Sequence, residues 1–336
     1  MMKTNIFIIS AAHQYIYIYD AVKRFHHQEE NFLFLLNFGS ENEFISLKRI
    51  LLDIQWSGIF EIPLYAHKSL IYRYCMYINL IKKLKKYSAD SICLSQLGAS
   101  YCYLILNSVD CKTKMITDDG VSLLIMAKDR IEKINNGHTH TSLKSNLKKF
   151  LFKLYEPNHL TFFTTNNIEI CSNDRLIVND LSHVKFAFSQ NDSVDSYIFI
   201  GSPFVSYHMM TLESYIKLLK RSFAKYTDKK IIYYPHRAEQ DNELFAIREM
   251  FDNIEVISSL IPFEMYLLIN SYPEKIIAFY SGVIPNILKI FGNLIKIDSI
   301  VIPDNFFIKY EDGDAGRVVY AEYGMYKNDC FQMVEI

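Results

Sequence analysis

The sequence predicts an α/β fold made of two αβα domains, each built on a mostly parallel sheet. Three observations support this prediction. Short runs of β-branched and aromatic residues alternate with longer segments of helical spacing, which favours βαβ units. The same alternation starts again after residue 190. With 336 residues, half of them hydrophobic, the chain is long enough to form two cores of ordinary size.

The first series contains strand-like runs separated by segments of helical spacing. Its strands are predicted, in chain order, at "NIFIIS", "NFLFLLNF", "GIFEIPLY", "DSICLSQ", "TKMIT", "LTFFTTN" and "EICSNDRLIVNDL". Helical spacing covers residues 14–27, 43–54 and 68–87. The stretch 129–156 is polar and then basic, which indicates a loop followed by an amphipathic helix. Because parallel sheets bind ligands at the carboxyl ends of their strands, functional side chains are expected there.

The polar segment "SQNDSVDS" is the predicted linker, and it divides the chain into domains 1–190 and 191–336. After this linker, strand-like runs again alternate with segments of helical spacing in a second series. Its strands are predicted at "YIFIGSPF", "KKIIYYPHR", "IEVI" and "KIIAFYSG". Its helices are predicted over 211–226 and 239–251 and at "PFEMYLLINS" and "PNILKIFG".

Charge and cysteine content exclude several classes of protein. The 36 basic residues nearly balance the 37 acidic ones, so the surface as a whole is not built to bind nucleic acid. The six cysteines show neither CxxC pairs nor nearby histidines, which predicts free thiols in the cytoplasm and no zinc site. No window approaches about 18 uninterrupted apolar residues, so no spanning helix is expected. The N-terminal apolar run is also too short for a signal peptide.

The first candidate site follows the run "KMIT", where Asp118, Asp119 and Gly120 stand together. Asp and Gly are common in turns, and an Asx cap on the next helix would explain them structurally. The functional interpretation is a carboxylate held at a strand end as a general base, with the neighbouring acid raising its proton affinity. Gly120 would let the chain turn without crowding a substrate.

The second candidate site follows the β-forming run "KKIIYYP", where His236 and Arg237 are adjacent. A lone histidine is more often structural than catalytic. Here an imidazole and a guanidinium come together at a strand end, where both could face an anion. The pair therefore predicts an anion site.

Two further candidate sites lie later in the second series. Glu264 stands at the start of a predicted helix, where the helix dipole alone favours an acid, although a carboxylate there could also bind two vicinal hydroxyls. Ser281 and Gly282 follow the run "KIIAFY" and precede a helix, so a hydroxyl and backbone N–H groups are expected to form an anion site.

The order of these four elements resembles the bacterial sialyltransferases, in particular the lipooligosaccharide and capsule sialyltransferases and the related polysialyltransferases. That family has an acid-acid-Gly motif, a His-Pro motif, a Pro-x-Glu element and a Ser-Ser/Thr motif. The counterparts in this chain are Asp118 to Gly120, His236, Pro262 to Glu264, and Ser281 with Gly282. The segments "IISAAHQYIYIYDAV" and "FIGSPF" are also similar to the family's domain openings, and the resemblance covers about residue 5 to residue 300.

Two positions depart from the family pattern. Arg237 follows His236 in place of proline, and Pro235 precedes the histidine instead. Ser281 has no second hydroxyl neighbour. These departures weaken the expected phosphate-binding role of Ser281 more than they weaken the expected role of His236.

The resemblance implies a GT-B type fold, with two Rossmann-like αβα domains facing a central cleft, and an inverting transfer of sialic acid from CMP-sialic acid. The acceptor would be a hydroxyl of a galactoside in lipooligosaccharide or capsule. Asp118 is the favoured base, with Asp119 as the alternative, and His236 would assist departure of CMP. The nucleotide-binding set would be Gly201, Arg237, Glu264, Ser281 and Gly282. Neither a metal nor another cofactor is required in this scheme.

Several alternatives stay open at the level of sequence. The donor could be CMP-Kdo, another nonulosonate, or a UDP or GDP sugar, and the chain could also be an idle carbohydrate-binding relative. The partners expected are a nucleotide-sugar donor and a glycan or glycolipid acceptor, with no nucleic acid; formation of a homodimer is left open. Lys144, Lys148, Lys149 and Lys153 lie on a segment that would rest on the inner membrane, or would simply be a solvated helix. The acid-rich stretch Glu311 to Gly316 contains a DxD pair but is interpreted as a surface turn.

Overall fold

The computed structural model describes residues 2–38, 54–64, 69–119, 122–135, 153–189, 192–251, 254–257, 261–292, 294–326 and 328–336. The chain divides into two compact units, Met1–Val184 and Lys185–Ile336. The first unit therefore ends at residue 184, against the expected domain boundary at residue 190. Each unit contains one parallel sheet with helices, which confirms the predicted α/β class.

The sheet of the first unit has the strand order β3-β2-β1-β4-β5-β6-β7, and all its neighbouring strands are parallel. Its strands are β1 (Thr4–Ile9), β2 (Glu30–Asn37), β3 (Gly58–Pro63), β4 (Ser91–Leu94), β5 (Thr113–Thr117), β6 (Leu160–Thr164) and β7 (Arg175–Val178). The order reverses between β1 and β4, where Phe7 of β1 pairs with Cys93 of β4. Ligands of open α/β sheets bind outside the carboxyl ends of the strands at such a point.

The helices of the first unit pack hydrophobic residues against this sheet. They are α1 (Tyr15–Ala21), α2 (Leu70–Lys85), α3 (Ser100–Leu106) and α4 (Ser122–Asn135), with α5 (Ser182–Phe188) crossing into the second unit. A π-helical turn, Val22–His26, continues α1. The hydroxyl of Ser69 accepts a hydrogen bond from the backbone N–H of Tyr72 at 3.3 Å and so caps α2. Residues from β1, β2, β4, α2 and α3 form one buried cluster.

The sheet of the second unit has the order β10-β9-β8-β11-β12-β13, again with parallel neighbours throughout. Its strands are β8 (Ser193–Ile200), β9 (Ile231–Tyr234), β10 (Glu255–Val256), β11 (Tyr272–Ala278), β12 (Lys296–Val301) and β13 (Phe331–Glu335). Its helices are α6 (Leu212–Phe223), α7 (Asp241–Met250), α8 (Phe263–Ile269), α9 (Val283–Phe291) and α10 (Asp314–Tyr323). The order reverses between β8 and β11, so a second potential ligand edge lies there.

The core of the second unit is rich in aromatic rings. Phe199 of β8 contacts the rings of Phe223, Tyr233 and Phe279, with ring centroids 5.1 to 5.8 Å apart. Such pairs add stabilisation beyond the burial of their area. The aromatic core therefore fixes β8, β9 and the end of β11 relative to one another.

Four sequence predictions need correction or fall outside the described residues. The predicted linker is partly wrong, because residues 193–196 already belong to β8, where Ser193 and Val194 pair with Tyr272 and Pro273 of β11. The predicted turn at Glu311 to Gly316 is instead a 3-10 turn that enters α10, since Asp312 accepts the backbone N–H of Lys309 at 3.0 Å. The predicted helix over residues 43–54 and the basic amphipathic helix lie almost wholly outside the described residues, together with Lys144, Lys148 and Lys149.

Helices long and apolar enough to cross a membrane are not found in the part of the chain that the structure describes.

Candidate functional site

Asp118, directly after β5, is completely buried and surrounded by hydrogen-bond donors. Its Oδ1 accepts hydrogen bonds from the hydroxyl of Thr164 and, at 3.2 Å, from the side-chain amide of Asn166. Its Oδ2 accepts the backbone N–H of Thr165 at 2.7 Å. Asp118 therefore ties the end of β5 to the residues that follow β6.

Asp119, the next residue, has a different environment. Its side chain is 16% exposed to solvent. Its Oδ1 accepts a hydrogen bond from Nε2 of Gln14 at 2.7 Å and lies 3.1 Å from Nε2 of His13. Asp119 is thus a partly exposed carboxylate in a fixed position; Gly120, which completes the sequence motif, lies outside the described residues.

The orientation of the Gln14 side chain is set by the backbone at the end of β1. Its carbonyl oxygen accepts the backbone N–H groups of Ser10 at 2.8 Å and Ala11 at 3.1 Å. Because the carbonyl faces these donors, the amide NH₂ faces Asp119. β4 lies between β1 and β5, so this contact spans the carboxyl edge at the point where the strand order reverses.

Sequence reasoning did not identify His13 and Gln14 as partners of Asp119. They occupy the first turn after β1, and the only signal available was a polar His-Gln pair at the end of a buried strand. Their pairing with Asp119 joins residues more than 100 positions apart, which no local pattern reveals.

His236 follows β9 in the second unit, as predicted, and is partly buried. Its Nδ1 accepts the backbone N–H of Ala238 at 3.1 Å. The neutral ring therefore carries its proton on Nε2, which is left to act as a donor. Burial, with a smaller effect of the Arg237 charge, lowers the pKa of His236 below its ordinary value, so the neutral form is favoured at pH 7.

Gly201 and Arg237 lie near this histidine. A Cβ atom on Gly201 would stand 2.2 Å from Oε2 of Glu239 and 2.6 Å from the hydroxyl oxygen of Tyr233. The backbone N–H of Gly201 donates to the carbonyl of Tyr234 at 2.8 Å. Packing inside the unit therefore explains why position 201 has no side chain. Arg237, the residue after His236, is exposed to solvent.

Glu264 lies in the first turn of α8, as predicted, and is 5% exposed. Its Oε1 accepts a hydrogen bond from Nδ2 of Asn286 at 2.9 Å. Asn286 belongs to α9, the helix that follows the Ser281 turn. Glu264 and that turn are thus connected by α9.

Ser281 and Gly282 form the turn between β11 and α9. The hydroxyl of Ser281 accepts the backbone N–H of Val283 at 3.3 Å, and its own backbone N–H donates to the hydroxyl of Tyr323 at 3.1 Å. Gly282 is exposed, and a Cβ atom there would meet no atom within 4 Å. The turn thus leaves open space beside Gly282, although the N–H of Ser281 is already bonded inside the unit.

The predicted residues are divided between the two units. Asp118 and Asp119 belong to the first, and the second contains the rest: Gly201, His236, Arg237, Glu264, Ser281 and Gly282. A cavity of about 260 Å³ lies at the end of β12 in the second unit, but none of these residues lines it. Within the described residues, no group of three or more His, Cys, Asp and Glu side chains is arranged to hold a metal ion.

No protein-family model and no curated protein matches the chain. Solved structures do match over nearly its whole length. They include UDP-GlcNAc 2-epimerase from Methanocaldococcus jannaschii, with 14% identity and a TM-score of 0.53 over 99% of this chain and 89% of that one. The same enzyme from Neisseria meningitidis, bound to UDP-GlcNAc, has 12% identity and a TM-score of 0.52 over 96% and 90%.

A sialyltransferase from Photobacterium damsela also matches, with 12% identity and a TM-score of 0.51 over 99% of this chain and 81% of that one. At these identities the likeness shows the fold alone. That fold is the GT-B type, with two Rossmann-like parallel-sheet units, as the sequence predicts.

Proposed function

We propose that the protein is an inverting glycosyltransferase that moves sialic acid from CMP-sialic acid to a hydroxyl of a galactoside-containing acceptor of lipooligosaccharide or capsule. One observation carries the proposal: Asp119 is an oriented, partly exposed carboxylate at the carboxyl edge where the first sheet reverses its strand order. The order of the sequence motifs supports the choice of donor. The occurrence of the same fold in a sialyltransferase is compatible with it.

The base in this proposal is Asp119, the alternative at the level of sequence, and not Asp118. Both oxygens of Asp118 already accept hydrogen bonds inside the unit, and the residue is completely buried. Asp119 is reachable from solvent, and Gln14 holds it in place. A base must lie within hydrogen-bond reach of the proton that it removes, so the exposed acid is the better candidate.

The reaction is a single displacement. The acceptor oxygen forms a bond to the anomeric carbon of sialic acid and its proton passes to the Asp119 carboxylate, while the bond from that carbon to the phosphate oxygen breaks. The electron pair of the broken bond stays with CMP. His236 donates a hydrogen bond from Nε2 to the phosphate and so stabilises the charge that develops there. Glu264 binds the ribose, and Arg237, Ser281 and Gly282 surround the nucleotide.

An acceptor panel tests this function. The protein is incubated with CMP-sialic acid and a series of galactosides, and the release of CMP and the product linkage are measured. Release that depends on a galactoside supports the proposal. No product with any galactoside, while CMP-Kdo or a UDP or GDP sugar gives one, would contradict the donor assignment.

Thermal unfolding with free nucleotides gives a second test that needs no acceptor. CMP is expected to raise the melting temperature, and UDP and GDP at equal concentration are expected to leave it unchanged. His236→Gln should reduce the shift caused by CMP, whereas His208→Asn, at an exposed histidine of the same unit, should not. Protection by UDP alone would favour a UDP-sugar enzyme and contradict the proposal.

A further inference from the structure

The residues after β9 form a short loop, His236 to Glu239, which several hydrogen bonds hold within the second unit. The backbone N–H of Glu239 donates to the carbonyl of His236 at 2.9 Å. The N–H of Ala238 donates to Nδ1 of the His236 ring at 3.1 Å, and the hydroxyl of Ser206 donates to the carbonyl of Ala238 at 2.6 Å. This loop determines where the imidazole lies.

The carboxyl group of Glu239 connects the loop to the sheet. Its Oε2 accepts the backbone N–H of His236 at 2.6 Å. Its Oε1 accepts the hydroxyl of Tyr233, which lies on β9, and the hydroxyl of Tyr215, on α6, is 3.5 Å away. One side chain thus joins a strand, a helix and the histidine.

The two tyrosines extend the network to the end of β8. Their hydroxyl oxygens are 2.8 Å apart, and the hydroxyl of Tyr215 accepts the backbone N–H of Ser202 at 3.1 Å. Gly201 precedes Ser202, and its missing side chain leaves the space that the Glu239 carboxyl group and the Tyr233 hydroxyl occupy. The network therefore links the carboxyl ends of β8 and β9 through the partly buried Glu239 and the buried side chains of Tyr215 and Tyr233.

We propose that Glu239 is a positioning residue for His236, because its carboxyl group, held by Tyr233 and Tyr215, fixes the backbone N–H of the histidine and with it the loop that sets the ring tautomer. This inference rests on the proposed function of His236 as a donor to phosphate. Glu239 itself touches no substrate in this scheme. Its effect passes through the loop.

The charge of Glu239 follows from the groups around it. Burial raises the pKa of Glu239 to about 8; hydrogen bonds from Tyr233, Tyr215 and the His236 backbone oppose this effect, and the nearby Glu243 on α7 adds to it. Arg237 is the charged neighbour on the loop. At pH 7 the carboxyl group is thus mostly neutral, with Oε2 still accepting the His236 N–H. Ionisation at higher pH places a negative charge close to the histidine that should meet a phosphate.

Two substitutions of Glu239 separate the effect of its hydrogen-bond acceptor from the effect of its charge. Glu239→Gln keeps an oxygen that can accept the His236 N–H and stays neutral at every pH. Glu239→Leu removes the acceptor. Glu249→Leu, at an exposed acid of the same helix, α7, is the matched control.

The first readout is the ¹⁵N NMR spectrum of the His236 ring, which reports the tautomer without any turnover. The wild type, the Gln variant and the Glu249→Leu control should show the Nε2–H form, and the Leu variant should show a mixture of tautomers. Identical ring signals in all four proteins would overturn the proposal. If the wild type releases no CMP from any donor, the proposed function fails, yet this spectrum still decides whether Glu239 positions His236.

The second readout is turnover of CMP-sialic acid between pH 6 and pH 9.5. The Leu variant should lose about 100-fold in kcat with a smaller change in KM, since small misplacement of a catalytic group costs about that factor. The wild type should lose activity as the pH rises through about 8, and the Gln variant should not. Because the Gln variant is expected to fold, a wild-type profile that the Gln variant reproduces above pH 8 would show that the charge of Glu239 does not act on His236. A kcat for the Leu variant within a few-fold of the Glu249→Leu control would overturn the positioning role.

Discussion

Two neighbouring residues of the same type, Asp118 and Asp119, are given different tasks by their surroundings. Asp118 is enclosed and holds the residues after β6, while Asp119 meets the side chains of Gln14 and His13 and keeps some exposure. Adjacent positions beyond a strand point in different directions, so one can face the interior and the other the edge of the sheet. Asp118 thus has a structural role, and Asp119 is the acid of the motif that solvent can reach.

Substitution of each acid by asparagine should reveal this division. Asp118→Asn places an NH₂ group against donors such as the N–H of Thr165, and leaving a buried donor unsatisfied costs about 1–3 kcal/mol. Asp119→Asn should change the free energy of unfolding by less than about 0.5 kcal/mol. Urea unfolding measures both, and equal losses of stability would contradict the assignment.

Arg130 of α4 is the centre of a buried ion network in the first unit. Its side chain is 3% exposed, and its guanidinium contacts Asp174 at 2.9 Å and Glu156 at 2.8 Å. Its Nη2 also donates a hydrogen bond to the backbone carbonyl of Pro157 at 2.7 Å. Removal of one partner from such a network leaves uncompensated buried charges.

Arg130→Ala should therefore lower the free energy of unfolding of the first unit by about 3–5 kcal/mol. Lys128→Ala, at an exposed position of the same helix, should change it by less than about 0.5 kcal/mol. Chemical denaturation followed by circular dichroism compares the two. A loss below 1 kcal/mol for Arg130→Ala would show that the network does not stabilise the fold as described.

At the scale of elements, the two predicted glycines of the second unit differ in what surrounds them. Gly201 follows β8 and lies against the Glu239 carboxyl group, whereas Gly282 faces open space before α9. Gly282 also has φ −62° and ψ −13°, a conformation that any residue adopts. Glycine is thus needed for packing at position 201 and not for backbone conformation at position 282.

Gly201→Ala should destabilise the second unit by about 1–3 kcal/mol, because the added methyl group overlaps Glu239 and Tyr233. Gly282→Ala should leave stability unchanged or raise it by up to about 1 kcal/mol. If the nucleotide occupies the space beside Gly282, the same change should weaken CMP binding. Melting temperatures with and without CMP test all three expectations, and a stable Gly201→Ala variant would contradict the first.

Ionisation of Glu239, in the loop after β9, should also change the free energy of unfolding with pH. The pKa of Glu239 is raised from 4.5 to about 8 on folding, so its contribution to stability is present below pH 4.5 and is lost as the pH rises through 8. The Gln variant lacks this loss. Its stability relative to wild type should therefore increase with pH across this window, by at most about 1.4 kcal/mol per pH unit.

Urea midpoints measured from pH 5 to pH 9 give this difference, and the contributions of groups that do not interact with Glu239 cancel in it. Parallel curves for wild type and the Gln variant would show that the Glu239 pKa does not shift on folding.

For the whole molecule, the sequence was informative where one local pattern determines structure. The buried run of β1 and the amphipathic spacing of α6 predicted their elements, and the repeated alternation predicted the two-unit α/β fold. The later elements β12, α10 and β13 were not predicted, since the predicted series ends at the segment "PNILKIFG".

Contacts distant in sequence escaped prediction for a physical reason. The pair of His13 and Asp119 and the network of Tyr215, Tyr233 and Glu239 exist only because the fold brings elements that are distant in sequence together. Residue type and local spacing carry no information about such partners. The predicted site residues stay predictions, and the structure adds the partners that make them testable.

The most direct measurement for the whole account is the single-turnover rate of CMP release from CMP-sialic acid in the presence of an accepted galactoside. Asp119→Asn should lower this rate by at least about 100-fold, the usual contribution of a general base, while Asp110→Asn at an exposed acid of the same unit leaves it unchanged. A rate for Asp119→Asn within a few-fold of wild type would contradict the claim that this carboxylate takes the acceptor proton.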